Sequence, residues 1–446
     1  MSTAMQHPVP TNNRQCLECG GNVDVTIPER VVEECHAGKL LLFVGSGAST
    51  ESHNVMPSTF HDEVSRHVPN SAGLDFPDLM TKYVQRNSRS DLINLFYRRL
   101  RYIDSFPDLN RRATLFHRRV AQIPFFREVI TTNWDDYFER EADAVPLVYG
   151  PDFDYWDLAQ RKVLKIHGSV LNPGTVIATR DEYKKSLAAL VGHALGGTVR
   201  HLLATRSVVF VGYSLRDDDI RDVIDVLRSD LHTAAKQCYF VHPSDQFVPP
   251  IEGAEVIRTS AAWFVKLLDD ALVAAGYLLP TTIYDRLDKV DDRLREARTR
   301  SDTRLPPWEF PLAIYNHSFQ DGLAHALERT RAQRRSGADR RHGELIERAR
   351  GYFEYGKLAR RKRDYWNAAY GEGYETGLLA LGAADIVPLK IVPVYYCPGI
   401  GAVSSFAEVS KGIRASQSTH KSAYNWAVKQ VKELPPEMYA IHTPFL

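Results

Sequence analysis

The sequence predicts an α/β fold, with a parallel sheet covered by helices on both faces, followed by a mainly helical C-terminal region. Three observations carry this. Continuous apolar runs at Leu40–Val44, Glu128–Thr131, 163–166, Ser207–Val211 and Cys238–Val241 have strand length and no polar alternation, as strands buried on both faces do. Helix-like stretches at 60–67, 91–101, 111–123, 181–195 and 219–231 separate them, so the units are βαβ. After about Gly276 the strand runs give way to densely charged, helix-like sequence.

Residues 1–26 read as a loose leader, because Pro8, Pro10, Asn12, Asn13, Gly20 and Gly21 break any periodicity. Residues 29–37 look helical and Gly38 stops them. A further strand at 254–257 and a closing helix at 262–275 complete a domain over 27–280. In the remaining 281–446, residues 284–304 read as a solvated helix and Leu305, Pro306, Pro307 and Pro311 as a break. Residues 364–381 look helical despite Gly371, Gly373 and Gly377. A strand at 390–397 and a last helix at 422–434 follow.

Composition narrows the function classes. The chain has 446 residues, 44% apolar and 25% charged, which excludes wholesale disorder. Lys and Arg number 56 against 55 Asp and Glu, so no global field draws in nucleic acid or membrane. No run approaches the roughly 18 apolar residues of a membrane span. The polar start lacks the apolar core of a secretory signal, and five scattered cysteines fit a reducing compartment; a cytoplasmic protein is expected. Charge is uneven, however. The stretch from Arg329 to Arg363 holds 13 basic and 4 acidic residues with aromatic neighbours. Nucleic acid is one candidate partner for it; a subunit contact and a solvated helical face are others.

Four strand ends carry residues with chemistry. Gly45-Ser-Gly-Ala-Ser49 lets the backbone approach a pyrophosphate, with the amides opening the next helix to bind its charge; a tight strand-to-helix turn uses the same residues. Met56-Pro-Ser-Thr-Phe60 follows, where Ser58 or Thr59 suits a helix cap. Ile130-Thr-Thr-Asn-Trp-Asp-Asp136 turns a strand into polar residues that can grip ribose hydroxyls or a carboxamide, or cap a helix through Asn133 or Asp135. Lys165-Ile-His-Gly-Ser169 presents His167, whose ring titrates near neutrality and suits a general base. Val211-Gly-Tyr-Ser-Leu215 precedes Asp217, Asp218 and Asp219, which suit a helix N-terminus. Cys16 and Cys19 form a CxxC pair, and Cys35-His36 could add ligands. No second CxxC exists, so zinc is not expected.

In this order, GSGAS, MPSTF, TTNWD, KIHGS and GYSLRDDD resemble the Sir2 superfamily, in particular the bacterial Sir2-like proteins of antiviral defence, which include the Sir2 module of Thoeris effectors. The likeness spans about 27–280, and TTNWD with KIHG is its most specific part. It implies a Rossmann-like sheet that binds NAD. Carried over by position, Gly45, Ser46, Gly47 and Ser49 would hold the pyrophosphate. Asn133 and Asp135, next to Thr132, would order the nicotinamide ribose and the attacking group. His167 would act on the ribose hydroxyls or water, and Gly212 and Ser214 would face the cofactor. Deacylating sirtuins carry a four-cysteine zinc module after the His-Gly element, whereas no cysteine lies between Gly168 and Ser207 here.

The resemblance therefore implies hydrolysis of NAD at the nicotinamide glycosidic bond, in antiviral defence by abortive infection. Protein deacylation or ADP-ribosyl transfer uses the same pocket and is the alternative. A non-catalytic nucleotide sensor or nucleic-acid-binding protein is a third. Residues 281–446 are expected to gate the pocket, respond to an activating ligand or defence partner, or form a homo-oligomer contact.

Overall fold

The structure is a computed structural model. It describes residues 25–52, 55–215, 218–232, 235–383, 387–415 and 420–433. The expected leader up to residue 24, with Cys16 and Cys19, and the expected capping residue Asp217 lie outside the described residues. The chain divides into two compact units, Met1–Ala274 and Ala275–Leu446.

The first unit is built on seven parallel strands: β1 (Leu40–Val44), β2 (Glu128–Thr131), β3 (Val145–Leu147), β4 (Lys162–Lys165), β5 (Ser207–Val211), β6 (Cys238–Val241) and β7 (Glu255–Ile257). Their order is β3-β4-β2-β1-β5-β6-β7. The chain leaves β1 to one side for β2 and returns on its other side as β5, which makes the carboxyl ends of these strands a topological switch point. β3 was not expected. It is three residues long and contains Pro146, which an edge strand tolerates because its missing N–H faces no neighbour.

Alternation along the strands sorts the core into two faces. Leu41, Phe43, Ile130 and Leu164 share one buried cluster with Val199 and Leu202 of α9 (Ala194–Thr205) and Ile220 and Val223 of α10 (Asp218–Leu231). Leu40, Leu42 and Val44 point the other way and are as deeply buried. There α1 (Glu29–His36) packs on β1, and α11 (Ala261–Ala274) packs on α1 and on α6 (Leu115–Ala121). A third cluster joins α2 (Phe60–Ser65), α3 (Phe76–Arg86) and α4 (Arg89–Ser105) to Trp134 and Tyr137 beyond β2. The expected helix at 111–123 is two, α5 (Pro107–Ala113) and α6, and α7 (Tyr137–Ala142) follows β2. The expected helix at 181–195 is α8 (Arg180–Gly192), with α9 starting after His193, whose extended backbone breaks it.

The second unit holds α12 (Ile283–Arg304), α13 (Ala313–Ala332), α14 (His342–Arg361), α15 (Tyr365–Gly382), α16 (Phe406–Ala415) and α17 (Lys421–Glu433), with a two-stranded antiparallel hairpin of β8 (Tyr395–Cys397) and β9 (Gly401–Val403). α13 and α15 pack closest. A side chain at Gly373 would run into the Phe319 carbonyl, and one at Gly322 into that of Tyr370. The glycines that weaken the helix by propensity are what let these two helix backbones meet.

Much of the basic block is used inside this unit. Arg331 pairs with Asp288 and Asp291, Arg348 with Asp339, and Arg360 with Glu372. Arg340 is fully buried, its Nε donating to the Leu279 carbonyl at 2.8 Å. Among the described residues no single helix is long and apolar enough to cross a membrane.

Candidate functional site

Four turns at the carboxyl ends of β1, β2, β4 and β5 converge. After Val44, Gly45 is extended and residues 46–48 form one 3-10 turn. The backbone of Ser49 (φ −133°, ψ −116°) then leaves the helical region, and the next α-helix starts only at Phe60. The expectation of helix amides directly after GSGAS is thus corrected. Thr59 caps α2 in a reciprocal box with Asp62, which settles the choice between Ser58 and Thr59.

The two glycines of this turn are spent on close packing. Gly45 N donates to Val211 O and Gly47 N to Gly212 O, each at 3.0 Å. A Cβ on Gly45 would lie 2.5 Å from Gly212 O. Gly212 has φ +60°, and a side chain there would strike the Ala48 amide. The β1 and β5 turns therefore fit as bare backbone against bare backbone.

Thr131 fixes the β2 turn by donating to Val44 O at 2.9 Å and accepting from Asn133 N at 3.0 Å. The Asn133 amide nitrogen donates to Gly45 O and to Ser49 Oγ, both at 3.2 Å. Gly45 O can only accept, so this orientation of the amide is forced. Asn133 Oδ1 is left buried with no hydrogen-bond partner. Asp135 accepts from Ser49 Oγ at 3.0 Å and from Tyr137 N at 3.3 Å, so it serves the start of α7 while Asn133 does not. Burial pushes the Asp135 carboxyl above the usual range, against the pull of Lys165 and Ser49.

His167 is buried two residues past β4, its ring 4.8 Å from that of Tyr183 on α8. Gly168, at φ +84°, makes the turn that follows. The four turns meet around one cavity of about 800 Å³. Of the residues the sequence singled out, Ser46, Thr132, Asn133, Asp135, His167, Gly212 and Ser214 line it. Gly45, Gly47 and Ser49 do not. Ser49 is buried behind the wall, bonded to Asn133 and Asp135, and the two glycines lie against the β5 turn.

The remaining wall was not foreseen. Phe60, Phe76, Phe96 and Trp134 form a box of rings with centroids 5.1–6.1 Å apart. Glu51 also faces the cavity. Burial pushes its carboxyl up, while Arg99 at 3.1 Å and the Phe60 amide at 2.7 Å stabilise its charge. Arg99, itself buried, also bonds Thr50 O and Ser58 O and so holds the loop between GSGAS and α2. Arg180 at the start of α8 pairs with Asp75 and Asp78 of the α3 start, at the cavity edge. TTNWD and KIHGS announced themselves by their place at strand ends. Glu51 and Arg99 had only a buried-charge signal, visible once their partners are known.

An orphaned amide oxygen, an imidazole and a glycine-walled turn fit an NAD ligand. The donor set for zinc is weaker. No group of three or more His, Cys, Asp or Glu residues is placed to hold a metal among the described residues, and Cys35 is buried in α1 with its thiol pushed up by burial.

Residues 127–268 match the family model of the SIR2-like domain. The stretch runs from β2 into α11 and includes Asn133, Asp135, His167 and Gly212, whereas GSGAS lies before it. The match supports the Sir2 superfamily and NAD-related chemistry in general. No curated protein matches the chain.

Proposed function

We propose that the cavity binds NAD and that the protein hydrolyses the nicotinamide glycosidic bond, giving nicotinamide and ADP-ribose. The observation that carries this is that Asn133, whose Oδ1 is buried without a hydrogen-bond partner, and His167 line the same cavity. A buried acceptor left open costs about 1–3 kcal/mol unless a ligand or water fills it. The cavity volume falls in the range of cofactor pockets, roughly 300–1,000 Å³.

The chemistry asks little of a protein acid. The C1′–N1 bond breaks with its electron pair going to the pyridinium nitrogen, so nicotinamide leaves neutral. Water supplies the new C1′–O bond and gives up one proton. Asn133 Oδ1 accepts from that water or from a ribose hydroxyl and orients it, and neutral His167 takes the proton. Ser46, Thr132, Gly212 and Ser214 border the nucleotide, and the ring box excludes solvent from the reacting end.

Product analysis by mass after mixing the full chain with NAD tests the reading. Free nicotinamide and ADP-ribose without any protein substrate are expected, and would set deacylation and ADP-ribosyl transfer aside. Asn133→Ala and His167→Ala should each cut turnover at least about 100-fold with the fold intact, the low end for a positioned acid–base group. Normal turnover in both variants would remove this cavity from the reaction.

Loss of cellular NAD is toxic to the cell that makes the enzyme, so an off state is required. With the likeness to defence proteins, this supports an abortive-infection role in the cytoplasm, the second unit gating the first in answer to a ligand, a defence partner or self-assembly.

A further inference from the structure

The glycine turn after β1 leaves the negative charge of a dinucleotide without the partners expected for it. The amides of Gly45, Gly47, Ala48 and Ser49 already donate to Val211 O, Gly212 O, Gly45 O and Ser46 O, at 3.0–3.1 Å. Of GSGAS only Ser46 borders the cavity. The pyrophosphate of a dinucleotide is a dianion, and taking it out of water beside a box of rings is costly unless opposite charge meets it. That charge has to come from another part of the wall.

α8 carries it. Arg180, Tyr183 and Lys184 stand at i, i+3 and i+4, so they share one face of the helix, and all three line the cavity. The Tyr183 ring lies 4.8 Å from that of His167, which seats this face beside the KIHGS turn. Three carboxylates also line the cavity, and each has a cation of its own. Glu51 pairs with Arg99 at 3.1 Å, the Lys165 charge acts on Asp135, and Asp75 pairs with Arg180. The Lys184 side chain is exposed and pairs with no carboxylate among the described residues. Arg180 keeps a donor in reserve. Asp78 and Asp75 take its Nε and Nη2, and no partner among the described residues takes its Nη1. Both carboxylates are about half exposed, and ion pairs this exposed hold weakly, so an incoming anion can compete for the guanidinium.

We propose that Arg180 and Lys184 form the phosphate-binding subsite of the cavity, so that the pyrophosphate of NAD lies along α8 instead of on the GSGAS turn. This rests on the NAD reading of the cavity and not on the hydrolysis. The two cations act differently. Arg180 is oriented beforehand by Asp75 and Asp78, and its planar fork suits two oxygens of one phosphate. Lys184, one turn further along the same face, is a point charge on a flexible stem that follows the second phosphate.

The experiment is calorimetry of ADP-ribose binding to the full chain across a salt series, on the wild type, Arg180→Gln and Lys184→Gln. Expected is a dissociation constant raised at least about tenfold in Arg180→Gln, as for a lost charged hydrogen bond, and about threefold in Lys184→Gln, as an exposed charge allows. Added salt should weaken binding to the wild type, and to each variant less steeply. Lys184→Gln removes no ion pair, which keeps the test alive if Arg180→Gln does not fold. A merely structural role would lower the melting temperature and leave the salt dependence of binding at its wild-type slope. That result, or wild-type affinity in either folded variant, overturns the inference. ADP-ribose 2′-phosphate separates the two sources of phosphate: a loss confined to this ligand would give the cations to the 2′-phosphate of NADP and overturn the pyrophosphate assignment. A wild type that binds ADP-ribose and cleaves no NAD overturns only the hydrolase reading. One that binds no ADP-ribose removes the NAD reading, and the inference with it.

Discussion

Asn133 illustrates how a side chain's use is set by neighbours far away in sequence. Its place at a strand end, three residues before Asp136, was legible. That its nitrogen is claimed by Gly45 and Ser49, leaving only the oxygen unpartnered, was not, because those partners lie more than 80 positions back. The partners of Ser49, Asn133 and Asp135, are as distant in sequence. A small polar residue after a glycine turn suits a phosphate ligand, but a buried carboxylate competes for its hydroxyl. His117 gives a residue-scale test away from the cavity. It is fully buried among Phe116, Tyr137 and Phe138, and burial, with the Lys165 charge behind it, lowers its pKa to about 3. The unfolded chain takes up its proton near pH 6.5 and the folded one does not. Stability is therefore full above that pH and lost, by about 1.4 kcal/mol per unit, as the pH falls toward 3. His117→Phe should flatten the decline of melting temperature between pH 7 and 5; an unchanged slope would show that other groups govern it.

At the scale of elements, the five long apolar runs declared themselves as strands because burial on both faces leaves a continuous signature. β3 did not, since three residues with a proline carry no periodicity. α3 and α13 were passed over as well. α13 is buried along most of its surface, so it shows no polar face to set off an apolar one. The glycines of α15 misled in the other direction: propensity counts against them, and contact with α13 requires them. Gly373→Val should cost at least about 1–3 kcal/mol by overpacking, seen as a lower denaturation midpoint in urea. In the first unit, Gly212→Ala joins a positive φ to a clash with Ala48. It should weaken NAD binding and lower stability by about 1–3 kcal/mol, measured by calorimetry and chemical denaturation. A fully active, fully stable Gly212→Ala protein would mean that the β1 and β5 turns do not abut as described.

Across the whole molecule, each unit has its own core, so each should fold alone. A fragment ending at Ala274 is expected to keep its circular dichroism and its NAD cleavage, at a rate above that of the full chain. Unchanged, low activity in the fragment would argue against gating by residues 275–446. The basic block, read from sequence alone, invited nucleic acid. With Arg331, Arg340, Arg348 and Arg360 committed within the unit, filter binding near 150 mM salt should retain little duplex DNA.

The order of strands also bears on synthesis. β1 pairs with β5, Leu40 opposite Ser207, so its second neighbour is translated more than 160 residues later. A nascent chain emerging from the ribosome lacks one wall of the cavity until Ser214 has cleared the exit tunnel. On the proposed reading, the topology by itself withholds NAD cleavage from a polypeptide still being made.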